Sequence, residues 1–336
     1  MDANLSFGLS FLSGYSRQFA VALSLWPLAS MVLTLPLIAF LYHRDGRLRF
    51  WSAVGAYLSV LYGLALVCFT LYPLPSGDSG LGITYGIPPQ LNPFAFVADL
   101  HREGFRAVPQ ILLNVAFFVP LGFIVGRALR LRLRWALIIG LTVSMLIETA
   151  QLTGLFFLYP YAYRTFDVDD LIWNTSGALI GWGCAALSRI LMPSAITETP
   201  ADTARPGFVR RCVAFCLDMA LVAAATLVLC SAVQFVLTWS GLGEALGIGE
   251  RWMRYVFLGV LGLLEGVLPW MRGGRTLGGD FVRMTFETRE RHGARRLVFY
   301  AARLAVIVLT LPLTPIMLLI LAIFYAAARQ MPYDFI

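Results

Sequence analysis

The stretch RTFDVDDLIWNTSGALIGWG, residues 164–183, begins with one arginine and three aspartates and continues as an apolar helix. Asn174 follows Asp170 by one helical turn on the same face. Gly177 and Gly181 lie on one face too, and this small-residue spacing is typical of helices that pack closely inside a membrane. The stretch therefore predicts a tightly packed membrane helix that carries its charges at one end.

Composition supports a membrane protein throughout. The chain has 336 residues, of which 59% are hydrophobic and only 13% are charged. Because a spanning helix needs about 20 mostly apolar residues, the sequence predicts an all-α, polytopic transmembrane bundle of about eight spans. Five fall in the N-terminal part and three in the C-terminal part, and they are predicted at 19–42, 51–72, 107–126, 135–154, 171–188, 208–237, 254–271 and 297–326.

Arginine predicts the orientation. All 26 basic residues are arginines, and 18 of them fall in the loops 43–50, 127–134, 189–211 and 272–296. Cytoplasmic loops carry the excess of basic residues. The sequence therefore predicts that both termini lie outside the cytoplasm. The absence of lysine indicates a GC-rich bacterial genome, so we expect the bacterial cytoplasmic (inner) membrane. The charged start of the quoted stretch then lies on the outer face.

Several partners and cofactors are disfavoured. The arginines sit in short loops between apolar runs, which favours anionic lipid headgroups over nucleic acid. The three histidines are far apart and no C-x-x-C pair occurs, so we expect neither a metal site nor another cofactor. The sequence contains no serine–histidine–acid arrangement, no P-loop and no dinucleotide-binding glycine motif.

Three predicted helices carry polar residues to a similar depth near the outer surface. We call these the outer cluster and predict that they bind a ligand: Asn114, Glu148, Gln151, Arg164, Asp167, Asp170 and Asn174. Ionisable groups within a span usually face the bundle interior or a water-filled cavity. The alternative is that Glu148 bonds Asn174 and Arg164 only to fasten the helices. Because interhelical polar contacts average about 0.6 kcal/mol, we favour a pocket over a fastening.

The same residues carry a family resemblance. The segments NVAFFVPLG from Asn114, ETAQ from Glu148 and RTFDVDDLIWNTSG from Arg164 resemble the VanZ-like family of bacterial membrane proteins. The resemblance covers roughly residues 50–190. It implies a link to the cell envelope, because the family is named for a low-level resistance factor against the lipoglycopeptide teicoplanin. It implies no settled biochemical activity.

The remainder of the chain predicts a second domain. We divide the chain into a VanZ-like domain (1–190), a polar, proline-containing cytoplasmic linker (191–207) and a second membrane domain (208–336). The segments RPGFVRRCVAFCLDMALV and GGRTLGGD resemble the RDD family, named for an arginine and two aspartates. Arg211, Asp218 and the glycine-rich segment around Arg275 match its pattern. Gly279 stands where the family usually has a basic residue.

The second domain also contains a buried polar set, which we call the inner cluster: Arg211, Asp218, Glu265, Arg275 and Arg303. Similar depths predict that Asp218 pairs with Arg303 and that Glu265 lies nearby. Such a pair is either a bridge that specifies the fold or part of an ion or proton pathway.

Three functions remain open from the sequence. The favoured one is a non-catalytic protein whose outer cluster binds a lipid, a lipid-linked envelope intermediate or an amphiphilic glycopeptide antibiotic. The second is a hydrolase or transferase that uses Glu148 with Asp167 or Asp170 as acid and base, although no nucleophile stands beside them. The third is an ion- or proton-coupled transporter. The sequence leaves the ligand and the oligomeric state open.

Overall fold

The computed structural model describes residues 2–72, 74, 88–104, 108–162, 164–192, 202–203, 205–241, 252–311 and 314–336. The regular elements within these ranges are helices, as the sequence predicts. The contacts divide the chain into two compact units, Met1–Val32 with Gly55–Thr197 and Leu33–Val54 with Glu198–Ile336. Most of the predicted linker, at 193–201 and 204, lies outside the described residues.

The first unit contains the five helices that the sequence predicts, together with two short ones. The long helices are α1 (Asp2–Asp45), α2 (Phe50–Leu71), α4 (Val108–Phe123, continued by a π-helical turn to Ala128), α5 (Leu133–Leu152) and α7 (Val168–Leu191). The short ones are α3 (Ala95–Glu103) and the single turn α6 (Gly154–Phe157).

Helices α4 and α7 approach until their backbones touch. A Cβ atom on Gly177 would overlap the carbonyl group of Val115, and one on Gly122 would overlap that of Ala178. Gly181 is equally enclosed by the backbone of α4. Close approach of this kind requires residues without side chains on the facing surfaces. The predicted packing role of the Gly177–Gly181 face is confirmed.

The second unit contains the end of α1 as well as the C-terminal helices. The helices are α8 (Phe208–Ser240), α9 (Trp252–Met271, with a π-helical turn at Leu263–Val267), α10 (Leu277–Phe281), α11 (Gly293–Thr310), α12 (Thr314–Ala328) and a terminal 3₁₀ turn (Pro332–Phe335). Ala39 and Tyr42 of α1 share a buried core with Val213, Val282 and Met284. The sequence assigns residues 33–54 to the first domain, whereas these contacts group them with the second.

The last predicted span, 297–326, is a helical hairpin and not one helix. The Tyr325 hydroxyl near the end of α12 donates to the carbonyl of Pro206, 3.1 Å away, just before α8 begins. Tyr333 packs on Phe299 at the start of α11. These contacts show that α12 runs back to the end where α11 begins. The single span predicted from the sequence therefore contains two antiparallel apolar helices. Pro315 lies in the first turn of α12, where a proline is compatible with a helix start, and Pro312 lies outside the described residues.

The hairpin places the C-terminus beside the arginine-rich loops of the second unit. Arg210 donates to the carbonyls of Gly46 and Arg283, and the Arg283 side chain donates to the carbonyl of His43 at 2.6 Å. Asp334 pairs with Arg211 at this same end. The C-terminal turn therefore lies at the same end of the second unit as these loops, whereas the side of the membrane predicted for the C-terminus stays a prediction. The predicted side of the loops themselves remains a prediction.

Six described helices are long and apolar enough to cross a membrane: α1, α2, α4, α5, α8 and α9. Two further helices, α7 and α11, have 24 and 18 residues but carry buried charges. Helix α12, with 15 residues, rises only about 22 Å, less than the hydrocarbon thickness of about 30 Å. The polytopic all-α bundle is confirmed, while the number of spans stays approximate.

The glycine contact generates a stability prediction. We expect Gly181→Ala to lower the melting temperature of the purified protein markedly, because the new methyl group must push apart two helix backbones. Gly183→Ala is the matched control, since a Cβ there meets nothing within 4 Å. Equal melting temperatures for both variants would show that the α4–α7 contact is not rigid.

The topology generates a second prediction, tested in a variant without native cysteines. We expect Thr165→Cys to react with an impermeant thiol reagent on intact cells. Glu290→Cys should react with the reagent, and an epitope tag after Ile336 should bind its antibody, only after permeabilisation. Both positions lie at the arginine-rich end of the second unit. A tag that is accessible while Glu290→Cys stays protected would contradict the α11–α12 hairpin.

Candidate functional site

The start of α7 organises the outer cluster. Asp167 is the N-cap of this helix, and its carboxylate accepts a hydrogen bond from the backbone N–H of Asp169 at 2.8 Å. A capping aspartate satisfies one of the amides that a helix leaves without a partner in its first turn. The local sequence therefore explains why the helix begins here and why several acids gather at one place.

Glu148 connects α5 to this helix start. Its side chain is almost fully buried, and Oε2 accepts from the backbone N–H of Asp167 at 3.0 Å. Hydrogen bonds to a carboxylate are stronger than neutral ones, and they offset part of the cost of burying it. The sequence reasoning found Glu148 but not this backbone partner.

Asp170 connects α7 to α4. Its Oδ1 atom accepts from the side-chain amide of Asn114, across the interface that the glycines bring together. The charges of Asp170 and Glu148 are close enough to repel each other, and the charge of Arg164 acts on both. Asn114, Glu148, Asp167 and Asp170 therefore form one connected group.

Gln151 and Asn174 make other contacts. The Gln151 amide donates to the carbonyl of Thr70 at 2.8 Å, and the Asn174 amide donates to the hydroxyl of Ser144 at 3.0 Å. These bonds fasten α5 to α2 and to α7. The expected contact of Glu148 with Asn174 is replaced by the bond between Ser144 and Asn174. The sequence did not predict Ser144 as a partner of Asn174, because a single serine on an apolar helix belongs to no recognisable motif.

A segment before α3 covers the start of α7. Gln90 forms a parallel bridge with Asp167 through the backbone, and its side-chain amide also donates to the Asp167 carboxylate at 3.2 Å. The backbone N–H of Phe96 donates to Asp169 at 2.7 Å. Neither Gln90 nor Phe96 belongs to a motif, so sequence alone did not place them here.

Arg164 differs from the rest of the outer cluster. Its side chain is exposed, and it interacts with Glu148 and Asp170 only through its charge, without an ion pair or hydrogen bond to the described residues. The guanidinium group therefore stands next to the acids with its donors available.

In the second unit, Glu265 is the partner of Arg303. The ion pair measures 2.5 Å, both side chains are almost fully buried, and Arg303 also donates to the Glu265 backbone carbonyl at 2.6 Å. The predicted pairing of Asp218 with Arg303 is therefore wrong. Equal depth does not fix the rotation of a side chain about the helix axis, and the π-helical turn in α9 changes that rotation at Glu265.

Asp218 is held by the glycine-rich loop. Its Oδ1 atom accepts from the backbone N–H of Gly278 at 2.6 Å. A Cβ atom on Gly278 would lie only 2.5 Å from the Ala214 carbonyl oxygen, so glycine is needed for the loop to reach α8. Asp218 and Glu265 are close enough for their charges to interact.

Comparison with known families assigns both halves of the chain. Residues 58–189 match the model of the VanZ/LLP1 family, and residues 205–336 match that of the RDD family. The chain is a VanZ-like module followed by an RDD-family module. No curated protein and no solved structure matches the chain. The outer cluster lies wholly within the VanZ-like module and the inner cluster wholly within the RDD module.

The two remaining arginines of the inner cluster have different surroundings. Arg211 is buried and pairs with Asp334 at 2.7 Å, while Tyr333 lies beside it with its hydroxyl 3.3 Å away. Burial raises the pKa of Tyr333, which keeps this hydroxyl neutral. Arg275 is 47% exposed and pairs with Asp202 at 2.8 Å, so its charge is satisfied at the surface. Asp334 was missed because it lies outside every predicted span.

The described residues of the two modules present no metal-binding arrangement. Within the described ranges, no group of three or more histidine, cysteine, aspartate or glutamate side chains has a geometry that could hold a metal ion. The five cysteines, Cys68, Cys184, Cys212, Cys216 and Cys230, are free thiols. The outer cluster itself consists of carboxylates, side-chain amides and one guanidinium group.

Proposed function

We propose that this protein is a bacterial inner-membrane protein whose VanZ-like module binds a phosphate-bearing lipid or lipid-linked envelope molecule at the outer cluster. The observation that supports it best is the exposed guanidinium group of Arg164, which forms no ion pair with any described residue although acids lie beside it. The same chemistry would suit an amphiphilic glycopeptide, which is the related candidate.

The acids are engaged by the protein itself. Glu148 accepts from the Asp167 backbone, Asp170 accepts from Asn114, and Asp167 caps its own helix. Because internal donors hold these carboxylates in place, Arg164 keeps its donors free for an external anion. The planar guanidinium fork matches a phosphate or carboxylate in a way that a lysine ammonium does not.

The buried carboxylates add a second recognition element. A carboxylate that accepts one hydrogen bond keeps further lone pairs for ligand donors. Glu148 and Asp170 can therefore accept hydrogen bonds from sugar hydroxyls or from an amine, next to a phosphate on Arg164. This combination suits a headgroup that carries a phosphate together with sugar hydroxyls or an amine.

Catalysis by Glu148 and Asp170 as acid and base is the weaker alternative. General acid–base chemistry needs a group on which the proton transfer acts. The hydrogen bonds of these two acids run to amides of the chain and not to a thiol or hydroxyl nucleophile. Binding explains these contacts more simply.

Replacement of Arg164 tests the proposal. The wild type and Arg164→Lys are placed in nanodiscs that contain undecaprenyl phosphate, undecaprenol or phosphatidylglycerol, and lipids that stay bound are quantified by native mass spectrometry. We expect Arg164→Lys to lose about tenfold in retention of undecaprenyl phosphate, since one charge-assisted hydrogen bond is worth about 1.5–3 kcal/mol. Retention of undecaprenol should not change.

The matched control is Arg134→Lys, at the opposite end of α5 from Glu148. It should retain every lipid as the wild type does. If Arg164→Lys also retains undecaprenyl phosphate normally but melts earlier, the outer cluster serves the fold and the binding proposal fails.

A second candidate function is the passage of a proton or monovalent cation through the RDD module. A separate observation supports it. Asp218 Oδ2 and Glu265 Oε1 are buried and have no hydrogen-bond partner among the described residues. The single charge of Arg303 faces both interacting carboxylates but forms an ion pair only with Glu265, which leaves the pair of acids with one negative charge in excess. An uncompensated buried acid is expensive in a membrane protein and commonly marks an ion or proton site.

Asp218→Asn tests this second function. An asparagine oxygen can still accept from Gly278, so we expect near-normal melting temperatures but a loss of sodium- or proton-driven flux in proteoliposomes. Asp202→Asn is the control, because this acid is 39% exposed and pairs with Arg275 at the surface. Identical flux for the wild type and Asp218→Asn would exclude Asp218 from any pathway.

A further inference from the structure

The RDD module contains a cavity that is lined by Arg211 and Arg303 of the inner cluster but not by its acids Asp218 and Glu265. It lies between α8, α11 and α12, beneath the C-terminal segment, and encloses about 60 Å³. That is space for about four to six water-sized groups. Apolar side chains form most of its wall, among them Phe208, Phe215, Ile307, Leu318 and Met331.

The wall selects hydrocarbon over water. A buried water needs two to four polar partners, and a cavity lined by aliphatic and aromatic groups stays dry and takes up apolar molecules. Thr310 is one of the few polar groups in the wall, and its hydroxyl already donates to the carbonyl of Val306. A methylene chain is therefore the occupant that this lining favours.

The charged groups of the wall are both cationic. Arg211 and Arg303 line the cavity, whereas their partners Asp334 and Glu265 do not. Both terminal nitrogens of Arg303 bond Glu265, which lies on α9, and the guanidinium carbon lies 4.2 Å from the Phe286 ring centre. The carboxylate on Arg211 instead comes from the short C-terminal turn, so an anion that enters the cavity can replace it there without moving a long helix.

The anion position on Arg211 is occupied by the protein's own C-terminus. Asp334 holds one terminal nitrogen of Arg211 at 2.7 Å, and the Tyr333 hydroxyl lies 3.3 Å from the other. The third contact, from Nε to the Pro206 carbonyl, is long at 3.4 Å. Asp334 comes from the short turn Pro332–Phe335, so a carboxylate close to the chain end stands where a ligand's head would be.

We propose that this cavity binds the hydrocarbon chain of a single-chain anionic amphiphile. The head, a carboxylate or a phosphate monoester, bonds Arg211 in competition with Asp334. The C-terminal turn therefore sets the affinity of the cavity for anionic ligands. This site is separate from the outer cluster and from the Asp218–Glu265 pair, and it does not rest on either proposed function.

A native cysteine provides the probe. Cys212 lines the cavity, whereas Cys216, one turn further along α8, is exposed. Two variants, each retaining one of these cysteines, are placed in nanodiscs and labelled with N-ethylmaleimide. The reaction is followed with increasing decanoate, decyl phosphate, decanol or decyltrimethylammonium.

We expect decanoate or decyl phosphate to protect Cys212 at concentrations about tenfold lower than decanol does, as one charge-assisted hydrogen bond implies. The better of the two anions identifies the head. Cys216 should be protected by neither. Equal protection by decanol, stronger protection by decyltrimethylammonium, protection of Cys216, or no protection at all would each overturn the proposal.

Two substitutions separate binding from folding. Asp334→Asn keeps the side chain's size and an acceptor for the Met331 backbone N–H but removes the competing charge. It should improve protection by the anionic amphiphile about tenfold and leave protection by decanol unchanged. A purely structural Asp334 would instead expose Cys212 to the reagent whatever the ligand.

Leu318→Trp fills the cavity and should abolish protection by every amphiphile. Leu319→Trp, at a neighbouring exposed position, should leave protection intact. Circular dichroism and thermal unfolding verify that each variant is folded, and Val306→Phe fills the same cavity should Leu318→Trp misfold. Protection that persists in a folded, filled variant would place the amphiphile elsewhere.

Discussion

Backbone contact between α4 and α7 is the constraint on which the VanZ-like module depends. Gly122, Gly177 and Gly181 allow the two helices to touch, and no larger residue fits at these positions. The contact brings Asn114 to Asp170, so the glycines deliver the polar layer as well as the packing. Van der Waals packing and interhelical hydrogen bonds replace the hydrophobic effect here, since lipid is as apolar as the helix surface.

The RDD module uses a comparable device between α8 and the first turn of the short helix α10. Gly278 lies so close to α8 that its backbone amide reaches Asp218. In both modules a glycine allows the close approach that brings a hydrogen-bond donor to an acid. Burying a carboxylate is costly without hydrogen bonds, which ties the glycines and the acids together as one structural unit.

Much of the candidate site could be predicted from sequence because the depth of a residue follows from its position along a helix. Asn114, Glu148 and Asp170 converge as that argument requires. The partners could not be predicted in the same way. Glu148 bonds a backbone amide, Gln151 bonds a backbone carbonyl, and every residue offers such groups. A sequence pattern does not indicate which backbone amide or carbonyl will form the hydrogen bond.

The sequence by itself determined the class of fold, the five helices of the first module, the glycine face of α7 and both family assignments. The first three follow from composition and from periodicity along single helices, whereas the family assignments follow from the resemblance of short motifs, which the family models also match. Only the tertiary structure decided that Arg303 pairs with Glu265, that α11 and α12 form a hairpin, and that Asp334 reaches Arg211. Each of these depends on helix rotation or chain reversal. An apolar pattern sets a helix's length but neither its rotation nor the direction of the chain after a break.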